Sequence, residues 1–164
     1  MPKLFVITGA AGSGKSTFGK ALAARKSACI LDSDTVTEDV VKAGMLASGM
    51  DPNDRDSPGY CRFFREAVYE SLYQIALENL PHLDTVLVGP FTSEIQNPDW
   101  PVQLAEKFNS EVKVYFISCA ESLRFERIKN RANPRDDWKV RHWQNYLAKS
   151  STAPPAFDCQ MIRT

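Results

Sequence analysis

The sequence predicts an α/β domain built on a parallel sheet of five strands with helices on both faces. Three observations lead there. Short apolar runs (Leu4-Phe5-Val6-Ile7, Ala28-Cys29-Ile30-Leu31, Thr85-Val86-Leu87-Val88, Val112-Lys113-Val114-Tyr115-Phe116-Ile117) alternate with segments of helical period, the pattern of strand–helix–strand units with right-handed crossovers. The first run is continuously apolar, as in a strand buried on both faces. The first three runs each lead into a polar or glycine-bearing turn, and open parallel sheets bind ligands at the carboxyl ends of their strands.

The turn after the first run, Gly9-Ala10-Ala11-Gly12-Ser13-Gly14-Lys15-Ser16, fits G-x-x-x-x-G-K-[ST]. Its glycines allow positive φ and close backbone approach to a phosphate, with amide N–H groups pointing inward. Lys15 is spaced to reach β- and γ-phosphates, Ser16 to ligate Mg²⁺, and Thr17 opens a helix whose amino end favours anions. Phe18, Ala21, Leu22 and Ala23 give that helix an apolar face.

A length of 164 residues with 43% hydrophobic content fits one domain, residues 1–164, with a buried core. The formal net charge of +0 provides no global field for a long polyanion, so nucleic acid is not the favoured partner. Charge is nevertheless uneven: Asp32, Asp34, Glu38, Asp39, Asp51, Asp54 and Asp56 make the early chain acidic, and Arg124, Arg127, Lys129, Arg131, Arg135, Lys139 and Arg141 make the late chain basic. Cys29, Cys61, Cys119 and Cys159 form no C-x-x-C pair and read as reduced core thiols. No apolar run approaches the roughly 18 residues of a membrane span, and the expected setting is cytoplasmic without membrane contact.

After the second run come Asp32-Ser33-Asp34 and a helical pattern from Thr35 or Val36. Two carboxylates at the ligand edge, Asp32 and Asp34, have two uses: one holds Mg²⁺ through water, and the other accepts a proton as general base. Capping of the next helix is the alternative for Asp34. Breakers between Ala43 and Pro58 predict a long loop on the acceptor side, about 44–58, in which Asp54-Arg55-Asp56 either contacts substrate or is solvated. Tyr60 to Leu80 reads as one amphipathic helix carrying Arg62 and Arg65, and Pro98 to Phe108 as another. The third run ends in Gly89-Pro90-Phe91-Thr92-Ser93-Glu94 without the aspartate usual on a Walker B strand. Thr92, Ser93 or Glu94 is positioned to compensate, with capping the alternative for Ser93.

From Ser122 to Arg131 a helix puts Arg124, Arg127 and Arg131 on one face and ends in Ala132-Asn133-Pro134-Arg135-Asp136-Asp137. This predicts a lid over about 120–137, with Arg127 and Arg131 the cations for transferring phosphate. The alternative is an exposed basic helix paired with Glu121 and Glu126. Asp136 to Ala148 reads as a last helix, Ser150 to Pro155 as an extended connection, and Phe157 to Arg163 as a short edge strand.

The glycine-rich loop, the Asp32-x-Asp34 pair and the arginine-rich stretch from Arg124 to Arg135 together resemble the small P-loop kinases related to shikimate kinase, gluconate kinase, chloramphenicol phosphotransferase, zeta-toxin-type kinases and phage polynucleotide kinase. The resemblance spans nearly the whole chain. It implies a three-layer α/β/α sandwich with strand order 2-3-1-4-5, ATP and Mg²⁺ as cofactors, Asp34 as base and lid arginines on the phosphates. Catalysis then falls to Lys15, Asp34, Arg127 and Arg131, and nucleotide binding to Gly9, Ala10, Ala11, Gly12, Ser13, Gly14, Lys15, Ser16, Thr17 and Arg127. The metal falls to Ser16 and Asp32. The expected activity is transfer of the γ-phosphate to a small-molecule hydroxyl by a monomer or homodimer. The alternatives are a nucleoside or polynucleotide 5′-hydroxyl kinase, and an ATP-binding switch or slow ATPase acting through a protein partner. Gly89-Pro90-Phe91 stands where shikimate kinases carry paired glycines, and the Asp-Gly-x-Pro-Arg run of adenylate-type kinases is absent.

Overall fold

The computed structural model of the chain describes residues 1–150 and 153–164. Strands β1 (Lys3–Thr8), β2 (Cys29–Asp32), β3 (Thr85–Val88), β4 (Glu111–Ser118) and β5 (Gln160–Arg163) form one parallel sheet in the order β2-β3-β1-β4-β5. Helices α1 (Lys15–Lys26), α2 (Ser33–Ala47), α3 (Pro58–Tyr60), α4 (Glu66–Asn79), α5 (Trp100–Phe108), α6 (Glu121–Asn130), α7 (Asp137–Arg141) and α8 (Trp143–Lys149) connect or follow them. The fold class and strand order read from the sequence are those observed.

Alternate residues of β1 feed two separate cores, as the two-residue period of a strand demands. Leu4 and Val6 join Leu31, Leu87, Val114 and the buried faces of α2, α4 and α5; Phe5 and Ile7 join Val86, Val88 and Leu22 and Ala23 of α1. Both faces of the sheet are therefore covered around β1 and β3, and the crevice lies at the carboxyl ends of the strands.

Three expectations are corrected. Helix α2 starts at Ser33 and continues to Ala47, so the acceptor-side loop covers 48–57 and not 44–58. Gly44, taken as a breaker, lies inside the helix where a Cβ would stand 3.0 Å from the Phe64 ring; close packing outweighs a propensity cost of about 1 kcal/mol. The helix expected over 60–80 is interrupted: α3 and α4 are joined by a π turn, Cys61–Arg65. The helix expected over 136–148 is likewise divided, a 3₁₀ turn at Pro134–Asp136 leading to α7 and α8 with a break at His142. The four cysteines are free thiols as read, but only Cys29 and Cys159 pack, half-buried, against the core; Cys119 is half-buried away from it and Cys61 is exposed. Of the extended connection expected over 150–155, Ser151 and Thr152 lie outside the described residues. Beyond them the Ala156 amide donates to Ile95 O at 2.8 Å and the Phe157 ring meets Trp100.

Gly19 marks where α1 is pressed onto the sheet, since a Cβ there would come within 2.6 Å of Val88 Cγ2. Alanine would gain about 1 kcal/mol of helix propensity but incur an overpacking cost of about 1–3 kcal/mol. Gly19→Ala is expected to lower the urea midpoint at unchanged slope, and Gly19→Ala with Val88→Ala to be more stable than the sum of the two changes. A midpoint above wild type would show that propensity wins.

Candidate active site

Between β1 and α1 the backbone turns through Gly9 (φ 143°), Gly12 (φ 77°) and Gly14 (φ 97°). Gly9 abuts the Ile117 carbonyl of β4, and a Cβ on Gly12 would stand 2.8 Å from the Arg124 carbonyl of α6. Gly14 instead faces the crevice and forms the left-handed N-cap of α1. Two glycines thus seat the loop against the protein and the third presents it. Lys15 Nζ donates to the Ala10 carbonyl at 2.8 Å. Burial lowers its pKa from 10.5 to about 8, against the opposing pull of Asp34 and Asp32.

The second strand delivers the carboxylates. Asp32 is buried and is the N-cap of α2, its Oδ1 accepting from the Asp34 amide at 3.0 Å. The capping role weighed for Asp34 therefore belongs to Asp32, because the helix begins earlier than its apolar pattern suggests. The other oxygen, Oδ2, accepts from the Ser16 hydroxyl at 2.6 Å. A hydroxyl and a carboxylate adjoining at the start of α1 are hard oxygen donors of the kind Mg²⁺ takes, and Mg²⁺ sites on nucleotides need only one or two protein ligands. The donor set fits the ion. Asp34 sits in the first turn of α2 with its side chain 60% exposed. Burial pushes its pKa up, but Arg135 outweighs this through hydrogen bonds and charge, aided by Lys15 and Arg131, and the carboxyl lies below its usual range.

These groups line one crevice of about 1040 Å³. From the loop, Ala10, Ala11, Gly12, Gly14, Lys15, Ser16 and Thr17 reach it, whereas Gly9 and buried Ser13 lie behind. The arginines of α6 divide by role. Arg124 is buried, donates from Nε to Ala11 O at 3.0 Å and stacks its guanidinium on Trp143, so it supports the loop from beneath. Arg127 Nη1 reaches the Ser13 carbonyl at 3.3 Å and Thr164 Oγ1 at 2.8 Å, on the crevice side of the loop. Arg131 lines the crevice while two of its N–H groups hold Asp136. Glu121, offered as a partner for these arginines, instead accepts from the Trp143 indole at 3.3 Å.

A family model described as an AAA domain matches residues 4–152. The chain belongs to that AAA domain family. No curated protein matches the sequence. Among solved structures, a candidate kinase from Chloroflexus aurantiacus is 18% identical with a TM-score of 0.68, the match covering 99% of this chain and 87% of that one. A sugar kinase from a Janibacter species is 16% identical with a TM-score of 0.61, covering 100% and 85%. A gluconokinase from Sinorhizobium meliloti is 17% identical with a TM-score of 0.53, covering 99% and 81%. At these identities the likeness establishes the fold alone, a parallel five-stranded α/β fold of the class and strand order that the motifs implied.

Across the crevice from the glycine loop of this AAA domain, the structure adds residues the pattern did not single out. Arg135, left as the end of the lid, holds Asp34 by both oxygens. Tyr60, Arg65, Tyr69, Trp138 and Lys139 line the same crevice. Arg65 is held by Glu94 at 2.7 Å over the Tyr69 ring, whereas Arg62 lies over Phe63 outside it. Of Asp54-Arg55-Asp56, the last two line the crevice, and Asp54 accepts from the amides of Asp56 and Ser57 to shape the loop. Thr92 and Ser93 line it as well, Ser93 making no side-chain cap. Among the described residues no group of three or more His, Cys, Asp or Glu could hold a metal by itself, and no helix is long and apolar enough to cross a membrane.

The division among the α6 arginines can be measured. Arg124→Met should cost about 1.5–3 kcal/mol, the value of a charged hydrogen bond whose buried carbonyl loses its donor, read as a lower denaturant midpoint. Arg127→Met, whose contacts to loop carbonyls are 3.3 and 3.4 Å, should cost under about 1 kcal/mol. Equal losses would contradict the assignment.

Proposed function

We propose that the protein is an ATP-dependent phosphotransferase that moves the γ-phosphoryl group of ATP to a hydroxyl of a small molecule, working in the cytoplasm. The observation that carries this reading is Asp34, a solvent-facing ionised carboxylate in the crevice that also contains Lys15 and the glycine loop. A nucleotide switch needs the loop but not a base beside it. The family, and the kinases that share the fold, support the same class of reaction.

In this reading Lys15 and the loop amides bind the phosphates, and the amino end of α1 favours their charge. Mg²⁺ would be held by Ser16 with Asp32 beside it, and supplies neutralising charge to the transferring group. Asp34 orients the acceptor hydroxyl and receives its proton as the acceptor oxygen bonds to phosphorus. Arg127 and Arg131 offset charge on the phosphates, and the lid limits access of water.

Incubation with Mg²⁺ and γ-labelled ATP against pooled sugars, antibiotics, nucleosides and 5′-hydroxyl oligonucleotides tests this directly. Label is expected on one small-molecule pool, none with Lys15→Ala, and none with Asp34→Asn although ATP still binds. Normal turnover by Asp34→Asn would remove the general-base assignment, and label only as free phosphate would favour a slow ATPase.

Lys15 also sets a pH dependence. Its pKa of about 8 in the free protein lies below the ordinary 10.5, so its ammonium is lost as pH rises through 8, and a bound polyanion raises that pKa again. ATP affinity should be flat below about pH 8 and fall by about tenfold per unit above it, with proton uptake on binding. Titration calorimetry in buffers of different ionisation enthalpy measures that uptake; Lys15→Met should bind more weakly and without it.

A further inference from the structure

Among the guanidinium groups of the crevice, that of Arg135 binds the carboxylates of Asp34 and Glu38 at once. Its Nη1 donates to Asp34 Oδ1 at 3.2 Å and its Nη2 to Asp34 Oδ2 at 2.9 Å. Nη1 also donates to Glu38 Oε2 at 2.8 Å, and Glu38 is itself held by Lys42 at 2.9 Å and Arg55 at 3.5 Å. We propose that Arg135 is a positioning residue for Asp34, fixing the carboxylate that receives the acceptor proton and tying it to the lid so that base and lid are set as one unit. This rests on the phosphotransferase reading above.

Three features carry it. A two-pronged arginine–carboxylate pair fixes the plane of the carboxylate as well as its place, which a point charge does not. Burial is unequal: the Arg135 side chain is 10% exposed and that of Asp34 60%. A carboxylate has about four lone-pair sites, so the fork occupies its protein side and leaves the crevice side open to a hydroxyl. A plug that silenced the base would cover it. Finally, the segment bearing Arg135 is anchored on both sides. Its amide donates to Asn133 Oδ1 at 3.0 Å, and Asp136 is held by Arg131 at 2.8 Å and Lys139 at 3.7 Å. Lys139 in turn reaches Asp56 at 3.1 Å. The turn after α6 is therefore tied to α2 by Arg135, and α7 that follows it is tied to the loop before α3 by Lys139. In the reaction, the acceptor O–H proton passes to Asp34, the acceptor oxygen bonds to the γ-phosphorus, and the bridging P–O bond breaks with its electron pair leaving on ADP; Arg135 acts on these steps only through the Asp34 carboxylate it holds.

The test is kinetic and structural, on the full chain. With the acceptor found by the transfer screen, Arg135→Ala should lower kcat by about 10²-fold, the cost of a misplaced reacting group, and raise the acceptor KM with little change in the KM for ATP. Arg135→Lys should recover part of kcat, and Glu38→Gln should reproduce part of the loss. A rise or no change in kcat for Arg135→Ala, or a loss confined to the KM for ATP, overturns the proposal. Hydrogen exchange of the nucleotide-free protein needs no acceptor: Asp34→Asn should speed exchange of the amides over 131–141, and unchanged exchange overturns the coupling. Absence of transfer by the wild-type protein would instead sink the phosphotransferase reading, so the two failures are separate.

Discussion

The glycine loop is held in shape by two contacts that leave no room for a side chain, Gly9 on the Ile117 carbonyl and Gly12 on the Arg124 carbonyl, and by the hydrogen bond from Arg124 Nε to Ala11 O. Much of the site's arrangement depends on this seating. β4 is pinned in register to β1, from Lys3 against Glu111 to Thr8 against Phe116, so the end of β4 meets the loop at its first glycine. Helix α6 leaves that same strand end and meets the loop at its second. The helix that supports the loop from beneath is thus the helix that carries Arg127 and Arg131 to the crevice. The same helix therefore both braces the glycine loop and lines the crevice above it.

How much of this was legible depended on how local the cause was. The sheet could be read because each buried strand is an apolar run whose partners follow from alternation and crossover hand, and the order 2-3-1-4-5 followed from the family resemblance. The loop could be read because Lys15 and Ser16 have no reason to follow a plain turn. What escaped were features set by partners far away in the chain. Gly44 reads as a breaker unless one knows that Phe64 packs on it. The π turn at 61–65 leaves no mark in an apolar pattern that continues through it. Asp32 and Asp34 are equivalent in sequence, and only the start of α2 at Ser33 decides that the first is the cap and the second faces the crevice. Arg124, Arg127 and Arg131 share a helical face by spacing, yet contact with the loop buries the first and leaves the others at the opening.

The uneven charge of the chain is resolved in three dimensions. Acidic residues of the early chain and basic residues of the late chain, formally balanced at +0, meet across the crevice as Asp34 and Glu38 with Arg135, and Asp56 with Lys139. Exposed pairs of this kind contribute about 0–1 kcal/mol each. The Arg135 pairs differ because the arginine is buried and bound by both prongs, which converts a weak attraction into a fixed direction. Segments about a hundred residues apart are joined by charge where no apolar core joins them.

The π turn bears on how such a protein diversifies. Cys61–Arg65 winds one extra residue into the helical run between α3 and α4, and wide turns of this kind recur at functional sites. Loss of a single residue there would restore an ordinary helix and rotate α3, just before it, by about 100°, one residue's share of a turn. Tyr60 and the loop bearing Arg55 would swing to a new bearing while the glycine loop, β1 and α6 kept theirs. The crevice wall formed by Tyr60 and Arg55 can therefore be recut by a deletion of one codon that leaves the glycine loop and its supports in place.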